Sequence, residues 1–350
     1  MWLISLALAA DTAADLTLAT DRVAIGLAED GSMGNRAAGV GLRADPDGPE
    51  GPTPVGGDWL AARAAVEGWV IEADGVADSN FAASGQTSVT LDWEAPGEGS
   101  MAWRHAAGST DRYDVETWVA IPPGRSLVWT RLRLVPRADL GGVSVARIVN
   151  PDPDAWLNGS TMALLTADDD VVTAESSEDG RALALSAAGG EAGWCTDCTT
   201  PAELTVGTWS ATNNARVGVR TTLGDVDADT PIVVDHVYAF GIGADAAASL
   251  AWEAAADPDP DADGVGGDDD CAPWDDTVAP GLPEADDGRD NNCDGIADED
   301  LPGPGEATDS TWVPDVDAPT VGEAPAGCAA VSAPNGAWLL GLLLLRRRRA

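Results

Sequence analysis

Residues 126–135 read Ser126-Leu127-Val128-Trp129-Thr130-Arg131-Leu132-Arg133-Leu134-Val135, and their alternation decides the fold class. Leu127, Trp129, Arg131 and Arg133 fall on one face, polar for half its length. Val128, Thr130, Leu132 and Leu134 fall on the other, which is mostly apolar. Side chains on a strand alternate with a period of two, so this is a half-buried β-strand. Runs of similar character lie on both sides, at 16–19, 23–27, 88–93, 115–121, 143–149, 216–221, 232–240 and 249–252. The run 232–240 alternates less regularly and suits a central strand. Clusters of Gly, Pro and Asp at 45–57, 122–124 and 152–154 separate the runs as turns. Many short strands with turn signals predict an all-β fold, a β-sandwich body over residues 11–256. The Ala-rich stretch 59–66 fits a helical turn.

The chain has 350 residues and a formal net charge of -40, a field that excludes ordinary nucleic-acid binding and favours cations or simple solubility. All 19 basic residues are Arg. Ala inflates the hydrophobic share, and Phe and Tyr number two each, so the core rests on Val, Leu, Ile and the 14 Trp. Five cysteines, an odd count, predict an oxidising compartment and one thiol with a separate task.

Both ends read as addresses. Residues 1–10 form a short apolar run in which Ala7-Leu8-Ala9 supplies the small residues of a signal-peptidase site, with cleavage expected after Ala9 or Ala10. Residues 302–326 are a Pro-, Gly-, Thr- and acid-rich spacer without apolar period, expected to be an extended linker. In 327–350, Gly327-Cys328 is followed by small residues, the apolar run 336–345 and Arg346 to Arg349. An apolar run of that length falls short of the roughly twenty residues a spanning helix needs. The segment resembles the MYXO-CTERM sorting tail of myxobacterial surface proteins. That resemblance implies a short hydrophobic sorting helix that meets the envelope membrane and is removed, with Cys328 as attachment point. It also implies a protein held at the cell surface or outer membrane.

The body resembles a domain found upstream of such tails in myxobacterial secreted proteins. The similarity rests on Arg147-Ile148-Val149-Asn150-Pro151-Asp152-Pro153-Asp154 and on the close Val237-Tyr238-Ala239-Phe240-Gly241. Asn150 stands where that family has Asp. The resemblance implies a supersandwich-like β fold of uncharacterised activity.

Between Asp257 and Asp300, seventeen acidic residues face one basic residue, Arg289. Such a stretch cannot bury enough apolar surface to offset its ordering entropy, so its fold calls for another source of free energy. Its acids are in register. Calcium takes six to eight oxygens, and a twelve-residue loop supplies most of them from positions 1, 3, 5, 7 and 12. From Asp259, those positions are Asp259, Asp261, Asp263, the Val265 carbonyl and Asp270, with Gly264 at the sharp turn. From Asp290, they are Asp290, Asn292, Asp294, the Ile296 carbonyl and Leu301, with Gly295 at the turn. Leu301 cannot ligate, so Asp298 or Glu299 has to close this second loop. The segment 257–301 resembles the metal-binding repeat of the MopE type, with Val265 where that repeat usually has Asp. The resemblance implies that Cys271 and Cys293 pair, a closure contributing about 3 kcal/mol on the chain-entropy model. With no His or Met in the stretch, Ca2+ fits better than copper.

Cys195-Thr196-Asp197-Cys198 reads as a local disulfide or as half a zinc site, and export favours the disulfide. Two histidines, His105 and His236, and the absence of G-x-S-x-G and H-E-x-x-H motifs argue against familiar catalysis. Trp93, Trp103, Trp118 and Trp129 fit either the core or sugar-stacking faces. The sequence therefore predicts an exported, cell-surface-attached calcium-binding structural or adhesion protein without catalysis. Calcium ions, the envelope membrane and an extracellular glycan or matrix are its expected partners. The competing reading is a glycan-binding or glycan-active secreted protein with the acidic module as spacer.

Overall fold

The computed structural model describes residues 17–28, 31–34, 39–46, 57–60, 67–80, 91–94, 102–152, 163–256, 258–261, 263–266, 269–273 and 275–299. In chain order the strands are β1 (Thr17–Ala19), β2 (Val23–Gly26), β3 (Leu42–Ala44), β4 (Glu67–Ala73), β5 (Val76–Ser79) and β6 (Asp92–Glu94). Then come β7 (Ala102–Ser109), β8 (Tyr113–Ile121), β9 (Leu127–Pro136), β10 (Leu140–Val149), β11 (Ala163–Asp168) and β12 (Val171–Glu175). They are followed by β13 (Arg181–Ser186), β14 (Glu191–Cys195), β15 (Thr205–Val206), β16 (Trp209–Asn213), β17 (Arg216–Val226) and β18 (Ile232–Ile242). Helix α1 (Ala244–Ala256) ends the body.

The strands form antiparallel sheets, as the alternation predicts. A nine-stranded sheet runs β16-β11-β12-β13-β18-β9-β8-β7-β6, a six-stranded sheet runs β15-β14-β17-β10-β4-β5, and β1-β2-β3 make a third. The opening stretch is β9, paired with β8 and β18, with Trp129 opposite both Ala120 and Val237. β18 lies between β9 and β13, the central position its irregular pattern suggested.

Two apolar clusters fill the space between the large sheets. In one, Val128, Val119, Ile121 and Phe240 meet Val149, Val217 and Val219 of the six-stranded sheet, with Val23, Ile25 and Leu42 from the small sheet. In the other, Leu132, Leu134 and Val115 meet Trp69, Ile71, Val143 and Val145. Fully burying each such side chain is worth about 1.5–3 kcal/mol.

The opposite face of β9 explains the mixed half of its pattern. Leu127 and Trp129 are buried beneath α1, in a cluster with Ala120, Val237, Ala239, Ala247, Ala251 and Ala254. Farther along, Arg131 and Arg133 pair with Asp235 and Glu116. The expectation of a strand at 249–252 is corrected, because these residues lie within α1. Ser249-Leu250-Ala251-Trp252 alternates over only four residues, whereas the surrounding Ala run has the best intrinsic helix propensity. The small Ala side chains also let the helix lie close to the sheet.

A buried polar group ties the two sheets together. Glu67 of β4 accepts hydrogen bonds from Arg147 Nε (2.5 Å), Tyr238 Oη (2.7 Å) and the Met33 backbone N–H (2.6 Å). Arg147 is the first residue of the stretch that carries the body's resemblance, and its role here is this ion pair. His236 is 1% exposed, and burial together with the nearby Arg147 charge lowers its pKa to about 3. The folded protein therefore keeps His236 neutral where the unfolded chain takes up a proton below about pH 6.5. Protons favour the unfolded state in that window, so stability falls from about pH 6.5 toward 3 by up to about 1.4 kcal/mol per pH unit. Burial raises Asp152 to about 6, which works in the opposite direction between about pH 4 and 6. Melting temperatures of wild type and Asp152→Asn across pH 4–7 check this: the variant should show the steeper loss on acidification.

Candidate metal centre and aromatic rim

Body and acidic module belong to one compact unit, residues 1–301. In the first loop the structure brings together Asp259, Asp261 and Asp263, each offering a carboxylate oxygen within 4.8 Å of the others. Asp261 is only 1% exposed, and neither of its carboxylate oxygens has a hydrogen-bond partner among the described residues. The backbone amides of Asp263 and Asp275 lie near enough to ease its charge without reaching hydrogen-bond geometry. Asp259 Oδ1, Asp263 Oδ2 and Asp270 Oδ2 are likewise buried without partners. Burial, and then the charges of Asp263 and Asp270, raise Asp261 to about 7. Burial also raises Asp263 and Asp270, with repulsion from Asp259 adding to both.

The loop geometry follows the spacing. Gly264 takes a φ of +92°, and the Val265 N–H donates to Asp263 Oδ1 at 2.7 Å, so the sharp turn falls where the register places it. Asp270 Oδ1 accepts from Ala272 N–H at 2.8 Å, leaving its other oxygen for the cluster. Arg131 of β9 lies close enough to Asp270 for its charge to oppose the rise. Buried carboxylates whose oxygens lack donors are costly unless a cation satisfies them. The donors are all hard oxygens, which fits calcium.

The second loop differs. Asp290 accepts from the backbone N–H groups of Asp294 (3.1 Å) and Gly295 (2.7 Å), and Asp294 accepts from Ile296 N–H (3.0 Å). Gly295 sits at a φ of +94°, again as the register requires. Asp298, one of the two residues proposed to close the loop, instead accepts from Asp287 and Gly288. Glu299 is the residue that approaches, taking the Asn292 side-chain N–H at 2.6 Å and keeping Oε2 buried without a partner. Among the described residues only the Asp259, Asp261, Asp263 group converges as three acidic ligands.

Glu284, which the sequence did not single out, and Asn291, which falls within the MopE-type pattern, hold this region. Glu284 accepts from the backbone of both Asn292 and Asp298, and Asn291 bridges Thr277 and Ala285. Glu284, one acid in a stretch crowded with them, carried no distinguishing signal. Cys271 and Cys293 are bonded with Cα atoms 6.0 Å apart. Cys195 and Cys198 are also bonded, with Cys198 buried, so both sulfurs are committed to each other rather than to zinc. The signal at 1–10, the spacer at 302–326 and the tail at 327–350 with Cys328 lie outside the described residues. No helix among the described residues is long and apolar enough to cross a membrane.

The tryptophans divide between core and rim. Trp69 and Trp129 are buried, and Trp118 stacks on His105 with centroids 4.5 Å apart. Trp194 of β14 and Trp209 of β16 stack at 4.7 Å and 15°, joining edge regions of the two large sheets. Both are half-buried, packed on one side against the core.

No protein-family model and no curated protein matches the chain. Among solved structures it is similar to an α-mannosidase from Enterococcus faecalis (6% identity, TM-score 0.40, 70% of this chain and 31% of that one). It is also similar to the heparan sulfate lyase HepC from Pedobacter heparinus (11% identity, TM-score 0.31, 49% and 24%). A third is a galactose mutarotase related enzyme from Lactobacillus acidophilus (8% identity, TM-score 0.29, 65% and 98%). The chain thus spans about a third of the mannosidase and a quarter of the lyase. Likenesses this distant assign no activity to this chain. The expectation that it has no catalytic role is nonetheless corrected here, since each of these three neighbours is an enzyme by name.

Proposed function

We propose that the β body is directed at carbohydrate, as a glycan-binding or glycan-active protein, and that the acidic module behind it binds a divalent cation. Export and attachment through Cys328 complete the reading, which rests there on the sequence alone. The observation that carries the cation half is Asp261: a side chain almost wholly buried, grouped with the Asp259 and Asp263 carboxylates, with neither oxygen hydrogen-bonded among the described residues. Asp259, Asp261, Asp263 and Asp270 would hold the ion, and calcium suits an all-oxygen set of this charge. When bound, the ion supplies the positive charge that lets these carboxylates approach one another; Asp263 and Asp270 meanwhile keep one oxygen each on the backbone.

The carbohydrate half is supported by the Trp194–Trp209 stack. Indole faces at a half-open rim suit sugar rings, whose C–H surfaces stack on aromatic planes while hydroxyls reach polar groups nearby. Glycan-array profiling of the full chain and of Trp209→Ala tests this reading. Binding by the wild type that drops at least about tenfold in the variant, with the fold retained by circular dichroism, is the expected result. No glycan bound by wild type, or equal binding by both proteins, would count against the rim as the site.

A further inference from the structure

We infer that Asp168 sets the specificity of the Trp194–Trp209 rim and that the sugar it selects is cationic, an amino sugar. This rests on the carbohydrate reading above and adds to it a substrate class. Trp209 opens β16 opposite Ala167 of β11, and Trp194 of β14 lies opposite Val217 of β17 and Thr205 of β15. Only Gly207 and Thr208 separate β15 in the six-stranded sheet from β16 in the nine-stranded one, so the indoles meet where the chain crosses between sheets.

The β11–β12 turn closes on this crossing. Thr208, the residue before Trp209, donates its hydroxyl to Asp168 Oδ1 at 3.2 Å. The Asp169 carbonyl accepts from the Ala192 N–H at 2.7 Å, two residues before Trp194, and the Ala192 carbonyl accepts from the Gly207 N–H at 3.2 Å. Asp168 is thus fixed beside the stack while remaining exposed to solvent. Charge at the rim is one-sided. Arg216 and Arg220 alternate with the core residues Val217 and Val219, so they stand on the opposite face of the six-stranded sheet, paired with Asp197 and Glu191. Among the described residues no arginine pairs with Asp168 or with its turn neighbours Asp169 and Asp170.

A uronate or sulfated ring stacked on the indoles would meet these uncompensated carboxylates and be repelled. A ring bearing an ammonium group gains a charge-assisted hydrogen bond to Asp168, and the indole faces attract the same cation.

Titration of the full-length protein, with calcium present, compares a glucosamine tetramer, its N-acetylated counterpart and a uronate tetramer at a pH where the amine is protonated. At low salt the glucosamine tetramer should bind about fivefold tighter than the N-acetylated one, with a margin that shrinks as salt rises. Asp168→Asn, which keeps an oxygen for Thr208, should bring the two affinities together. Equal affinities in wild type, or a preference for the uronate, overturn the amino sugar and leave the carbohydrate reading standing. A preference that survives in Asp168→Asn removes Asp168 from the selection. Undiminished glucosamine binding in Trp209→Ala also overturns the inference, because the acidic surface would then hold the tetramer as a polycation. Wild type that binds none of the three overturns the amino sugar, and an empty glycan array beside it removes the carbohydrate reading as well.

Discussion

Glu67→Gln is expected to destabilise the protein by about 3–5 kcal/mol, measured by urea unfolding at neutral pH. Glu67 is fully buried, as is the Arg147 guanidinium it pairs with. The substitution preserves volume and leaves an oxygen for the Met33 N–H, so little of the loss comes from packing. The cost arises because a guanidinium in the interior loses its counter-charge with no water to replace it. The same change releases Tyr238 Oη from its acceptor, and it loosens a contact joining β4, β10 and β18 across the two sheets. Because breaking one partner costs more than replacing both, Arg147→Met combined with Glu67→Gln should recover part of the loss. Equal stability of Glu67→Gln and wild type would show that this buried group of Glu67, Arg147 and Tyr238 does not hold the sheets together.

Asp261→Asn should have effects of opposite sign with and without calcium. In EGTA the variant removes a buried charge that no described donor satisfies, so it should be more stable than wild type. With millimolar calcium the order should reverse. The wild type gains RT ln(1 + [L]/Kd), about 2.7 kcal/mol when calcium is a hundredfold above Kd, while the variant has lost a charged ligand. Thermal melts of both proteins in both buffers suffice to show the crossing. Parallel behaviour in the two buffers would mean that Asp261 is a costly buried acid and nothing more.

The parts of this molecule that the sequence made legible are those written in local spacing. The alternation of 127–134 announces β9 because one residue in two faces Val149, Val217 or Trp69 in the core. The Asp259 loop is equally local, since ligands two residues apart and a Gly at the turn need no distant partner. Strands β13 and β14 were not legible. The Ala of Arg181–Ser186 and the Ala and Gly of Glu191–Cys195 carry little β propensity, and it is pairing with β18 and β17 that makes β13 and β14 strands. For α1 the reverse holds, as a short alternation hid within a stronger helical composition. The closure of the second acidic loop depends on Glu284 and on Asp298 turning toward Gly288, a tertiary outcome that spacing does not encode. Glu67 and Arg147 stand 80 residues apart, and only the pairing of β4 with β10 makes them partners.

The most direct test is calcium titration by isothermal calorimetry into the full-length protein and into Asp261→Asn. A saturable binding heat is expected in wild type at millimolar calcium or below, with an affinity lower by at least about a hundredfold in the variant. Superimposable isotherms for the two proteins, or no binding heat in either, would contradict it.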